Sequence, residues 1–164
     1  MRPRPNSIGA GPESVWRYPR PAVAEPSTRH VRIAHRGVLV ADTTQAVRTL
    51  ETSHPPTWYL PPGDITPGVL HRSDRRSFCE WKGVAEYWHL PVGGVLLRDV
   101  GWSYPDPTAD FARLRDYVAF YAAPLDACEV DGERVTPQPG LFYGGWITSQ
   151  VTGPFKGAPG SLGW

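Results

Sequence analysis

The 164-residue chain has two cysteines, Cys79 and Cys128, and no Cys-x-x-Cys pair. Two distant thiols make no disulfide framework, and they cannot supply the four ligands of a structural zinc site. No apolar run approaches the length that crosses a bilayer, so no membrane association is expected. Neither sign of charge dominates: 17 basic side chains face 16 acidic ones, for a net charge of +1. Such a chain raises no general field for nucleic acid or an anionic membrane. Long helical periods are missing, and so is any βαβ rhythm. With no G-x-G-x-x-G or G-x-x-x-x-G-K-[ST] pattern, dinucleotide-binding and P-loop folds are set aside. The histidines show no H-x-x-x-H spacing, and neither a metal nor a cofactor is expected. The opening MRPRPNSIGAGPES is basic but lacks the apolar stretch of a secretory signal. With unpaired thiols, a cytoplasmic protein is the expectation.

What is abundant is proline (19), glycine (17) and tryptophan (7). Frequent Pro and Gly mean many turns and few long helices. Each tryptophan carries a large apolar area that a core or a binding surface must cover.

Residues 1–14 carry no apolar periodicity and are expected to be disordered. The proline-punctuated stretch 15–29 reads as an extended arm, since proline lacks the N–H and restricts its predecessor. Trp16 and Tyr18 are expected to pin it to the body. From His30, HVRIAHRGVLVADT alternates and turns at Arg36-Gly37, a β-hairpin. Thr43–Leu50 reads as one or two helical turns with Thr43 or Thr44 as cap. Prolines bracket a short strand at Thr57–Leu60. A short apolar piece, Val69–His71, leads into a charged turn, SDRR. Gly83 marks a bend between two strand-like flanks. Strands follow at Val84–Leu90, Val95–Arg98, Val100–Tyr104 and Tyr117–Ala122, with one helical turn near Thr108–Arg115. Asp131-Gly132 closes an acidic hairpin, and the Gly/Pro/aromatic remainder reads as a tail that wraps the domain. Some seven to nine short strands and at most two brief helices make a mainly β fold. The parts are an N-terminal arm (1–29), a β body (30–124), and a hairpin with tail (125–164).

The pieces GVLVADT with AVRTLE, ETSHPPTWYLPPGDI, SFCEWKGVAEYW, GWSYPDP and YVAFY come in one order. From His30 to about Pro124 the chain thereby resembles the domain-of-unknown-function 427 family, sometimes labelled nucleotidyltransferase-like. Many actinobacterial members carry a tail similar to FYGGWITS with PFKG. The resemblance implies a β-tent-like pair of antiparallel sheets with a cleft between them, as in methionine sulfoxide reductase B and the ligand-binding domain of cereblon. Several such proteins pin their sheets with zinc on two Cys-x-x-Cys pairs; here no zinc pin is expected. Nucleotidyl transfer would want carboxylates on adjacent strands to hold Mg²⁺. The close acidic groups, Asp106/Asp110 and Glu129/Asp131/Glu133, read as turn residues instead.

Several residues are candidates for chemistry. Cys79 has Lys82 three residues on, and a nearby ammonium favours a thiolate, though a free cysteine in an aromatic strand is more often a small buried hydrophobe. Lys82, between Trp81 and Gly83, could fix a carboxylate or phosphate in a cleft, or snorkel over Trp81. Arg48 and Glu51 would pair at i, i+3 on the expected helix. Glu51 could instead act as a base or ligand acceptor, and His54 could shuttle protons near neutral pH. Tyr59, Tyr87, Trp88, Trp102, Tyr104 and Tyr121 divide between core and cleft. Strand alternation puts Tyr87 and Trp88 on opposite faces, and likewise Trp102 and Ser103.

The function expected is binding of a small organic ligand in an aromatic cleft, using Arg48, Glu51, Tyr59, Lys82, Trp102, Tyr104 and Tyr121. One alternative is an enzyme in the same cleft, with Cys79 or Glu51/His54 reactive beside Lys82. Another is a protein-interaction module built from the arm and the tail. Exchange of the arm between protomers would give a homodimer.

Overall fold

Residues 12–140 and 142–164 are described by the computed structural model. In chain order the strands are β1 (Glu13–Ser14), β2 (Val23–Pro26), β3 (Val31–His35), β4 (Val38–Thr43) and β5 (Val47–Leu50). Then come β6 (Thr57–Leu60), β7 (His71–Cys79), β8 (Gly83–Val92), β9 (Val95–Ser103) and β10 (Val118–Phe120). The last five are β11 (Ala127–Val130), β12 (Glu133–Arg134), β13 (Thr136–Pro137), β14 (Trp146–Ile147) and β15 (Val151–Thr152). Short 3-10 turns at Val15–Arg17, Pro62–Asp64 and Ala109–Leu114 are the helical content of the described residues. The protein is mainly β, as its turn-rich composition predicts.

Two antiparallel sheets carry the structure. The larger has seven strands in the order β2-β5-β6-β10-β9-β8-β7, and the smaller has four, β12-β11-β3-β4. Type I′ hairpin turns need positive φ at both central residues. Arg36-Gly37 supplies φ of 47° and 77°, and Asp131-Gly132 supplies 51° and 80°. The β7–β8 hairpin turns over Glu80–Lys82, with Gly83 entering β8 at φ 106°. Val31, Ile33, Val40 and Ala41 of the small sheet pack against Trp58, Leu60, Leu90, Val118 and Phe120 of the large one. The side of the large sheet away from that core carries a second cluster: Val47, Tyr59, Tyr87, Trp102, Tyr104 and Ala119, joined by Phe111 and Leu114. Alternation therefore works as expected: Tyr87 faces one cluster and Trp88 the other.

Two local expectations change. Thr43–Leu50 is not helical: Thr43 ends β4, its Oγ1 accepts from the Gln45 N–H at 2.9 Å, and Val47–Leu50 is an interior strand. Eight residues make a marginal helix, whereas β5 gains ladder bonds from β2 on one side and β6 on the other. The SDRR segment is no turn either; it lies within β7, where the pairing with β8 slips between Arg72 and Arg76. Ser73 Oγ accepts from the Arg75 N–H at 3.1 Å inside that bulge, so a local polar loop replaces ladder bonds there.

Of the segment expected to be disordered, residues 1–11 lie outside the described residues, and Glu13–Ser14 pair in parallel with Val151–Thr152. Tyr18 is buried and donates to Glu13 Oε1 at 2.9 Å. Trp16 pins the arm to the tail, donating to Pro154 O at 2.8 Å. The tail itself is anchored by Trp146, fully buried in the main core, whose Nε1 donates to Phe120 O at 3.0 Å.

Candidate functional site

The main core packs between the two sheets, with a hollow of about 470 Å³ at its edge beside Ile65, Trp88 and Val118. The aromatic hollow lies instead on the outer face of the large sheet, a cavity of about 540 Å³. That size suits a small organic molecule. Period-two alternation delivers its floor: Thr49 from β5, Thr57 and Tyr59 from β6, Ser77 and Cys79 from β7, Tyr87 from β8 and Trp102 from β9. The turn after β7 adds Trp81 and Lys82 at one rim, and Glu51 and His54, just past β5, add the opposite polarity. Gln138, Tyr143, Gly144 and Lys156 come from the C-terminal segment and close over it.

Nine of the residues singled out in the sequence therefore line one cavity: Glu51, His54, Tyr59, Cys79, Lys82, Tyr87, Trp102, Tyr104 and Tyr121. Arg48 does not. It alternates with Thr49 and so faces the arm, where it binds Glu13 at 2.8 and 3.0 Å and Glu25 at 3.0 Å. The expected Arg48–Glu51 pair is not formed, because i, i+3 neighbours on a strand lie on opposite faces. Glu51 lies instead 3.5 Å from His54 Nε2.

The rings are interlocked. Tyr59 meets Trp102 edge-on with centroids 6.5 Å apart and Tyr104 at 6.3 Å, and Trp102 meets Tyr121 at 4.6 Å. Gly144 lies so close to the Trp102 ring that a Cβ there would overlap it, so glycine is what lets the tail close. Burial, chiefly, raises the Tyr59 and Tyr104 hydroxyls above their usual range, against the hydrogen bonds from Trp102 and Tyr104 at Tyr59 and the Lys82 charge at Tyr104. They are therefore neutral hydrogen-bonding groups at physiological pH. Lys82 Nζ stands 5.6 Å from the Phe111 ring centroid and has no ion-pair partner among the described residues. Arg75 stacks on Tyr87 at 4.5 Å. Lys156 Nζ donates to Trp164 O at 2.8 Å.

His54 is held tightly. Burial, chiefly, lowers its pKa, with Lys156, Arg20 and Lys82 adding to the effect and Glu51 opposing it. Its ring packs edge-on against Tyr143 at 4.8 Å. Sequence reasoning did not single out Gln138, Tyr143 or Lys156. Tyr143 and Lys156 fall in the tail pieces FYGGWITS and PFKG, which carry a resemblance but no strand or helix period to give them a role, and Gln138 lies outside both pieces.

Among the described residues no three His, Cys, Asp or Glu side chains cluster as a metal ion needs. Glu129 and Glu133, expected in a turn, stand on β11 and β12. Glu133 is occupied with the Ser149 N–H and hydroxyl, each at 2.7 Å. Asp131 holds Arg29 at 2.7 Å. Among the described residues, moreover, no helix is long and apolar enough to cross a membrane.

These features define an all-β protein of two antiparallel sheets with a buried aromatic cluster on the outer face of the larger one. A family model described as Domain of unknown function (DUF427) matches residues 23–131, and the chain belongs to that family. The match ends at the β11–β12 turn, so Gln138, Tyr143 and Lys156 lie beyond it. No curated protein matches the chain.

Proposed function

We propose that the cavity binds a small organic anion with a flat, apolar body, and that Lys82 is its counter-charge. The observation that carries this reading is convergence. Aromatic rings from β6, β8 and β9 surround a single hollow of about 540 Å³, with an amine at its rim that has no ion-pair partner among the described residues. A ring-lined hollow with a few fixed polar groups is the common form of a small-molecule site. A carboxylate or phosphate monoester fits an ammonium as a point charge. The arm and the tail spend their hydrogen bonds on the body and on each other, which favours this reading over a role as a free interaction module.

The test has two stages. Native mass spectrometry of the purified protein reads any co-purified small molecule. Intrinsic fluorescence then follows titration with benzoate and phenyl phosphate, since Trp81 and Trp102 line the hollow. Binding with quenching is expected, weakened about 10- to 100-fold in Lys82→Ala, the size of one hydrogen bond to a charged group. Equal binding by wild type and Lys82→Ala would remove Lys82 from the site.

The Glu51–His54 contact at 3.5 Å favours a second reading, in which the same cavity turns its ligand over by acid–base chemistry. Under it, Glu51→Gln stops turnover and leaves the fold intact; under pure binding, no product forms with either protein.

A further inference from the structure

Gln138 is almost wholly buried and uses every hydrogen-bonding atom of its amide. Its Oε1 accepts from the Gly145 N–H at 3.0 Å. Its Nε2 donates to Lys156 O at 2.8 Å and meets His54 Nδ1 at 3.0 Å. The orientation of this amide is decided by chemistry. Turned over, it would set its NH2 against the Gly145 N–H and its oxygen against the Lys156 carbonyl, two repulsive pairs. The group facing His54 is therefore an N–H donor. A histidine nitrogen opposite a donor must accept, so Nδ1 carries no proton. The neutral ring then holds its proton on Nε2, the atom 3.5 Å from Glu51 Oε2.

We propose that Gln138 is a positioning residue: it locks His54 as the neutral Nε2–H tautomer, and the oriented Glu51 carboxylate is left to accept an N–H or O–H of the ligand. A second proton on Nδ1 would oppose the Gln138 donor, which cannot turn away. The lock gives the site a polarity. Lys82 takes the anionic end of a ligand, and Glu51 takes a donor elsewhere on it. An aromatic acid carrying an amino or hydroxyl group is the matching class. This second half rests on the ligand-binding reading; the tautomer lock does not.

The charged groups around His54 are Glu51, Lys156, Arg20 and Lys82, with the Tyr143 ring packed on it. Of these only Glu51 favours the cation, so the donor from Gln138 acts with the prevailing field.

The experiment is long-range proton–nitrogen correlation NMR of the full chain, which reads each imidazole nitrogen directly. At pH 7 His54 is expected to show protonated Nε2 and bare Nδ1, and to titrate below the usual histidine value. In Gln138→Met, which keeps the side-chain length without the donor, Nδ1-protonated forms appear and the midpoint rises. An Nδ1–H tautomer or a cation at pH 7 in the wild type overturns the lock, whatever the variant does. For the ligand half, 4-aminobenzoate is expected to bind about tenfold tighter than benzoate, an advantage that disappears in Glu51→Gln. Equal affinities for the two probes, including equal failure to bind, overturn that half and leave the lock to the spectrum.

Discussion

Cys79 and Cys128 carry one kind of thiol in two surroundings. Cys128 on β11 is buried among Val31, Ile33 and Val130, and burial pushes its pKa up to about 12. At neutral pH almost none of it is thiolate, the reactive form. Cys79 ends β7, half-buried on the cavity wall. Iodoacetamide at pH 7 is expected to label Cys79 in the native protein and to reach Cys128 only after denaturation; peptide mapping reads both. Labelling of the two at equal rates would show that the core around β11 opens freely. The same single-residue logic was legible in sequence for Tyr87 and Trp88, because neighbours on a strand must part company. It was not legible for Gln138, whose partner His54 lies 84 positions away.

At the level of elements, β5 holds the most information. Its four residues are all buried, two toward each face. Val47 joins the aromatic cluster, Leu50 packs with Val15, Tyr18 and Val151, and Thr49 reaches the cavity. Arg48 ties β5 to β1 and β2 through Glu13 and Glu25. The guanidinium is nearly enclosed and the two carboxylates are partly so, and removing one partner of such a group strands the others. Arg48→Met is expected to destabilise the fold by about 3 kcal/mol in urea unfolding, with an intact cavity in the remaining folded protein. A loss under about 1 kcal/mol would place the cluster with ordinary surface pairs. The helical reading of Thr43–Leu50 failed for a reason visible here: its Arg, Thr and Leu spacing fits either period, and only the flanking strands β2 and β6 decide.

For the molecule as a whole, the C-terminal segment decides which face becomes a site. The small sheet covers one face of the large sheet, and residues after β12 cover part of the other. Trp146 is the nail that holds this cover, with no exposed surface to speak of and a hydrogen bond into β10. Trp146→Ala is expected to cost about 4 kcal/mol, the range of large-to-small changes at a buried ring. It should also weaken binding in the cavity, although no wall residue changes. Thermal unfolding and limited proteolysis of the tail check the first part, and the benzoate titration checks the second. Unchanged proteolysis together with unchanged binding would mean that the tail is held elsewhere.

The sequence by itself determined the class of structure. Alternation, proline breaks and the Arg-Gly and Asp-Gly turn dipeptides are local signals, and local backbone preferences suffice to draw strands and hairpins from them. It also nominated Glu51, His54, Tyr59, Lys82, Trp102, Tyr104 and Tyr121 for one site, through motifs rather than geometry. Only the tertiary structure decided which face of the large sheet is core and which is hollow, because a period of two separates sides without saying what covers either. It likewise gave Arg48 to Glu25 and Glu13, 23 and 35 residues away. Long-range pairings of this kind depend on where sheets, arm and tail come to rest, and no window of sequence contains both partners.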